Sequence, residues 1–226
     1  MFPAQLSRAD RVDALLRAYR SGFFPMGEGR RNPVVRWVNP ELRGILPLME
    51  FNPSRSLRRS LRRMPYKVTV DKSFRQVIQQ CAEVTQIRTE TWINGEIIDL
   101  YTDLYSHGKA HSVECWAGDD LVGGLYGVSI GAAFFGESMF SRRPDTSKVA
   151  LAHLVTRLIA GGYLLLDVQF ITEHLRRLGA VEISREDYLG RLGLAVSKAA
   201  DFHWLDSTGG KGSTSTSGCA SAFDAE

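Results

Sequence analysis

The chain has 226 residues, 44% hydrophobic and 23% charged, with a formal net charge of +3. That composition is ordinary for a soluble globular protein, one large domain or a large one with a small one, and so small a net charge singles out no partner. Three widely spaced cysteines, Cys81, Cys115 and Cys219, exclude a full disulfide framework and a CxxC metal knuckle, and fit a reducing compartment.

The opening stretch MFPAQLSRADRVDALL has no apolar h-region, so no secretory signal is expected and a cytoplasmic location is. Val12, Leu15, Leu16 and Tyr19 have helical spacing over residues 8–19, and Gly22 and Pro25 end that helix. Residues 26–47 read as loop and short strands. In NPSRSLRRSLRRMPYK, Leu57 and Leu61 are four apart, as are Arg58/Arg62 and Arg59/Arg63, which predicts a short helix with a basic outer face. Residues 51–70 hold six basic side chains and no acidic one.

KVTVD at 67–71 alternates as a strand, and residues 73–84 read as a helix. Ile97, Ile98, Tyr101, Leu104 and Tyr105 share one face of a helix over 93–108 that Gly108 closes. SVECWA, LVGGLYGVSI and AAFFGESMF form a meander whose first turn is GDD. The run at 121–136 is too short and too Gly-rich for a membrane span, and reads as two strands joined near Gly131. Residues 147–162 give the clearest helix, with Ala150, Leu151, Leu154, Val155, Leu158 and Ile159 as its apolar stripe and Thr146 or Ser147 as its N-cap. YLLLDVQF at 163–170 is a buried-type strand, and TEHLRRLGA a short helix closed by Gly179. The Ser/Gly/Thr-rich tail at 207–226 is expected to be disordered. This order predicts an α+β fold, helices packed on a mixed sheet.

Glu137 interrupts the apolar run FFGESMF. It either faces water from an edge strand or lines a cleft, since a buried charge without a partner is costly. Asp167 and Gln169, two apart in LLLDVQF, project from one strand face, pairing with backbone or presenting acceptors to a ligand. The basic turn SRRPDTSK opens a helix and carries Arg142, Arg143 and Lys148, an anion site or a solvated cap. Trp92 and Trp37 lie in polar contexts and either cap the core or stack on bases. Six unbalanced cations beside aromatics form either a solvated face or a surface for nucleic acid. His111 and His174 lack partners at metal-ligand spacing, so structural roles and no metal are expected; no G-x-S-x-G surrounds Ser138 or Ser141.

Taken together, AYRSGFFPM, TWING, AHSVECWAGDDLVGGLYGVSIG, FFGESMFSR, SKVAL, LLDVQ and HLRRLGA resemble the bacterial leucyl/phenylalanyl-tRNA–protein transferases, over roughly residues 10–195. The resemblance implies a catalytic domain similar to GCN5-type N-acetyltransferases at 51–206, preceded by a small N-terminal domain at 1–50. It implies transfer of Leu or Phe, and Met less well, from aminoacyl-tRNA to proteins beginning with Arg or Lys, marking them for proteolysis, with no cofactor, no membrane and a monomeric enzyme. By match to the family, Glu137, Asp167 and Gln169 are the catalytic group, with Asp167 orienting Gln169. Tyr101, Leu125, Phe134, Met139, Leu154 and Leu158 match an aminoacyl pocket. Trp92, Tyr19 and Trp37 match positions near the 3′-terminal adenosine, and Arg58, Arg59, Arg62, Arg63, Arg142 and Arg143 would hold tRNA phosphates. The chain departs from many relatives at FPMGEG and at Val38, where a second tryptophan is common. The alternatives are an acyl-CoA-dependent N-acyltransferase, disfavoured by the Gly-free turn SRRPDTSK, and a non-catalytic tRNA binder, which has no use for the three polar residues.

Overall fold

A computed structural model describes residues 7–63, 65–85 and 89–208. Its centre is a mixed sheet of seven strands in the order β4 (Lys67–Val70), β5 (Ala110–Ala117), β6 (Asp120–Ile130), β7 (Ala133–Ser141), β8 (Leu165–Gln169), β3 (Leu42–Ile45), β9 (Val181–Ser184). All neighbours run antiparallel except β7 and β8, which are parallel and joined through helix α5 (Thr146–Ala160). A parallel pair requires such a crossover, because no tight turn can return the chain to the same end of the sheet.

Strand alternation divides the apolar residues between two cores. Phe135 of β7 and Leu165 of β8 face one core, while Phe134 and Leu166 face the other. The first core is covered by α1 (Arg8–Arg20), α3 (Phe74–Cys81), α4 (Gly95–Ser106) and α7 (Arg185–Val196), through Leu15, Val77, Ile97 and Tyr188 among others. The second is covered by α5 and α2 (Arg55–Arg63), the latter through Leu57 and Leu61, as their four-residue spacing predicts. A separate ribbon pairs β1 (Phe24–Gly27) with β2 (Val35–Val38). It docks where Gly27 meets the Trp92 carbonyl; a Cβ there would lie 2.2 Å from that oxygen, so only glycine fits.

Three expectations need correction. Ile159 is 39% exposed, because the stripe of α5 is narrower than its composition suggests. The N-cap of α5 is Asp145 in a left-handed conformation, whereas Thr146 is buried and donates its hydroxyl to the Val122 carbonyl at 2.9 Å. Strand β9 and helix α7 follow the short helix α6 (Glu173–Arg176), where no further elements were expected. The helix is locally encoded: Ser184 caps it by accepting from the Asp187 N–H, and Tyr188, Leu192 and Ala195 repeat on its buried face. Of the tail, Ser207 and Thr208 end helix α8 (Trp204–Thr208), and residues 209–226 lie outside the described residues.

Candidate active site

The parallel pairing of β7 and β8 lasts only three residues, from Ala133↔Leu165 to Phe135↔Asp167. Beyond that point lies a cavity of about 330 Å³ lined by both strands. Glu137, at the middle of β7, and Gln169, at the end of β8, both sit past the last pair and line it. Leu125 and Met139 from the meander, Leu151 and Leu154 from α5, and Leu166 and Val168 from β8 make apolar walls, while Phe24, Met26, Trp92 and His174 contribute from the rim elements.

Glu137 does not stand on an edge strand, since β7 lies between β6 and β8. Its carboxylate accepts hydrogen bonds from Tyr19 Oη at 2.7 Å and Tyr101 Oη at 2.8 Å, and Gln169 Nε2 lies 3.5 Å away. Burial pushes the Glu137 pKa up to about 7, against the two tyrosine hydrogen bonds that pull it down. Both tyrosine pKa values rise well above the ordinary value, first through burial and then through the charge of Glu137. This carboxylate is therefore poised near neutrality, in a fixed cradle.

Asp167 is fully buried on the same side. Its oxygens take the Arg43 guanidinium through Nε at 3.0 and 3.1 Å and Nη2 at 2.7 Å, together with the Tyr188 hydroxyl at 2.7 Å. Arg43 spends its remaining donor direction on the Gly22 carbonyl at 2.9 Å and lies over the Phe24 and Tyr188 rings. Asp167 Oδ1 also accepts the Gln169 backbone N–H at 2.8 Å. That bond holds Gln169 at φ 57°, the centre of a tight turn closed by Phe170 N–H to the Val168 carbonyl. A non-glycine residue in this region costs about 1–3 kcal/mol, and such strain concentrates at functional sites. Arg43 and Tyr188 occupy its oxygens, and Asp167 lies behind the cavity, in contact with the Gln169 backbone but not among the lining residues.

The structure thus brings Glu137, Asp167 and Gln169 together and adds two side chains that sequence reasoning missed, Arg43 and Tyr188. The signal for Arg43 was a charge two places from Ile45 in a Pro/Gly-bounded segment; its depth depends on β3 sitting between β8 and β9. Leu125, Met139, Leu154 and Trp92 line the cavity. Phe134 and Leu158 do not: both are fully buried in the second core, where Phe134 stacks on Phe202. Tyr101 supports Glu137 rather than the apolar wall. Tyr19 is fully buried with its ring against Phe135, so it leaves no face for a base and serves as a donor to Glu137. Trp37 is half-buried in the ribbon, opposite Pro25.

On the other side, Ser60 of α2 donates to Asp145 at 3.2 Å and Tyr66 to the Pro144 carbonyl at 3.2 Å, so the two basic segments adjoin. Arg59, Arg62, Arg63 and Arg143 are exposed. Arg58 reaches back to the Pro53 carbonyl at 3.1 Å and Asn52 at 3.3 Å. Arg142 is engaged by Gln80 and by Glu83. Lys148 pairs with Asp145 at 2.8 Å.

Comparison with known proteins gives a consistent result. The family described as leucyl/phenylalanyl-tRNA protein transferase matches residues 45–193, and its N-terminal domain family matches residues 11–41. The leucyl/phenylalanyl-tRNA–protein transferase of Maricaulis maris (strain MCS10) is 57% identical over 194 residues, covering 86% of this chain and 90% of that protein. Those of Ruegeria sp. (strain TM1040) and Rhodospirillum rubrum are 58% and 55% identical, each covering 84% of this chain and 89% of the relative. Among solved structures, L-PGS from Bacillus licheniformis overlays with a TM-score of 0.37 at 14% identity, covering 73% of this chain and 55% of that one.

Proposed function

The chain belongs to the leucyl/phenylalanyl-tRNA–protein transferase family and is an aminoacyltransferase, and from that premise we propose that it moves Leu or Phe, and Met less well, from aminoacyl-tRNA to the N-terminal α-amino group of proteins beginning with Arg or Lys. The observation that carries this reading is the apolar cavity of about 330 Å³ with a carboxylate and an amide at the divergence of two strands. Its size suits one amino-acid side chain, and Leu125, Met139 and Leu154 give an apolar wall for Leu, Phe or Met, side chains unbranched at Cβ. Glu137 faces the incoming basic N-terminus.

In the reaction the neutral amine attacks the ester carbonyl, a C–N bond forms, and the C–O bond to the terminal ribose breaks. An α-amino pKa near 8 makes the neutral form accessible. The proton released from the amine passes through the Glu137 carboxylate to the departing ribose oxygen, which leaves as a hydroxyl, a relay its pKa of about 7 suits. The Gln169 amide donates to the carbonyl oxygen as negative charge develops there, and Asp167 keeps it aimed. The ester is already activated, so alignment of the two reactants supplies much of the acceleration.

Trp92, at the cavity rim, and Trp37 would flank the 3′-terminal adenosine, and the arginines of α2 with Arg142 and Arg143 would meet phosphates of the acceptor stem. The same reading gives a small N-terminal domain over residues 1–50 and a GCN5-acetyltransferase-like catalytic domain over 51–206, with β3 crossing from the one into the sheet of the other. It gives a cytoplasmic monomer whose products are marked for proteolysis; among the described residues no helix is long and apolar enough to cross a membrane.

The experiment is transfer of label from Leu-, Phe- and Ile-tRNA to peptides beginning with Lys, Arg, Ala or acetyl-Lys. Label moving from Leu- and Phe-tRNA to free Lys and Arg termini alone is the expected result. Equal transfer to Ala or acetyl-Lys termini overturns the acceptor assignment, and equal use of Ile-tRNA overturns the pocket assignment.

A further inference from the structure

Away from the cavity, three side chains from distant parts of the chain converge. Asp71 follows β4, His111 lies in β5, and His203 stands just before α8. Asp71 Oδ2 is 2.7 Å from His111 Nδ1 and 3.3 Å from His203 Nε2, and the three donor atoms lie within 4.8 Å of one another. We propose that Asp71, His111 and His203 form a binding site for a zinc-class divalent cation, which pins the C-terminal segment to the sheet.

The donor set is the first reason. Two imidazoles and one carboxylate suit zinc-class ions, which bind nitrogen and oxygen at about 2.0–2.2 Å in tetrahedral geometry. Donors in such a shell are about 3.3–3.5 Å apart, so the Asp71–His203 spacing is already right and the Asp71–His111 spacing has only to open slightly.

An outer carboxylate is the second. His203 Nδ1 lies 2.9 Å from Asp206 Oδ2, and Arg157 holds that carboxylate through two contacts of 2.9 Å. These contacts set the ring so that Nε2 faces Asp71 Oδ2 at 3.3 Å. A histidine oriented by an outer carboxylate is also the usual arrangement around a bound metal.

Rigidity is the third. Asp71 is fixed at φ 55° with Oδ1 taken by the Ser112 N–H at 2.7 Å, which leaves Oδ2 for the site. The His111 ring stacks on Phe202 with centroids 4.0 Å apart, and His203 stands edge-on to it at 5.3 Å. The His111 and Asp71 side chains are 9% and 15% exposed and His203 is 51% exposed, so the ion has a route in and a fourth position open to water. His111 and His203 line a second cavity of about 300 Å³ that shares no residue with the first, which makes the role structural.

The test uses tag-free full-length protein, stripped with a chelator and titrated with zinc or magnesium while heat and thermal unfolding are followed. Its variants are His203→Gln, half-exposed in the wild type, and Asp71→Asn, which tolerates the left-handed backbone and keeps the Ser112 bond. The expected result is one zinc per chain, a rise in unfolding temperature of about 5 °C or more at saturating zinc, and no response to magnesium. Both variants should fold, bind zinc at least about tenfold more weakly and lose the rise. Equal zinc binding by wild type and both variants overturns the proposal. So does a wild type that binds no zinc yet loses stability with rising pH in a His203-dependent way, which would make the third partner a proton.

Discussion

Arg43 Nη2 lies 2.7 Å from Asp167 Oδ2, and Nε lies 3.0 and 3.1 Å from the two carboxylate oxygens, with both side chains beyond the reach of water. Removing one partner leaves the other buried and uncompensated, which costs about 3–5 kcal/mol. Arg43→Ala and Asp167→Ala should each lose stability on that scale in urea unfolding. A loss under about 1 kcal/mol for either would show that the pair is hydrated or replaceable.

Gln169 is expected to act on the reacting ester, not on the tRNA body. Gln169→Ala should lower single-turnover transfer by about 10²–10³-fold, the scale of losing one donor to a developing oxyanion, while equilibrium affinity for aminoacyl-tRNA stays unchanged. Parallel losses in rate and affinity would make Gln169 a binding residue.

Glu137 links stability to pH. Its pKa is about 7 in the folded chain against 4.5 ordinarily, so the folded state holds its proton more tightly than the unfolded state does. The group's contribution is intact below about pH 4.5, declines as pH rises towards 7, and is constant above that. Glu137→Gln should therefore narrow the stability difference between about pH 5 and about pH 8 by about 1–3 kcal/mol, allowing for its position at an open cavity. The acid limb of the rate profile near pH 7 should vanish in the same variant. An unchanged profile would assign that limb to another group.

Met139 is half-buried in the cavity wall and its side chain can be shortened without opening a deep core void. Met139→Ala should favour Phe-tRNA over Leu-tRNA by about tenfold or more in kcat/KM, since a methylene or two in an apolar pocket is worth about 1–3 kcal/mol. An unaltered ratio would place the aminoacyl side chain against a different wall.

Arg59 and Arg63 sit exposed on α2. Their joint replacement by Ala should weaken tRNA binding for every amino acid alike and flatten the dependence of affinity on salt by about one to two phosphate contacts. A slope identical to wild type would remove this helix from the tRNA surface.

How far these features could be read in advance depended on their range. Helices α1, α4 and α5 follow from residues three and four apart, and the meander β5–β7 from alternation and turn residues, all local signals. Glu137, Asp167 and Gln169 stood out because a charge in an apolar strand is expensive. Their partners did not stand out. Tyr19 is 118 residues from Glu137 and Arg43 is 124 from Asp167, so no window of sequence contains either pair. The left-handed Gln169 was equally hidden, since a neighbouring carboxylate imposes it and no local turn chemistry does. Phe134 and Leu158 were placed in the pocket because an apolar residue near a site and one beneath it look alike until the splay of β7 from β8 is known.

Helix α1 also has a history in time. It leaves the ribosome with Leu15, Leu16 and Tyr19 ready to be buried, yet the carboxylate that Tyr19 binds is translated 118 residues later. At about 5–20 residues per second that interval is roughly 6–24 seconds. Helix α4 with Tyr101 is made before Glu137, so the two tyrosines of the cradle are in place ahead of the carboxylate they bind. The charge of Glu137 takes its final value only when that early helix has met the strand made 118 residues after it.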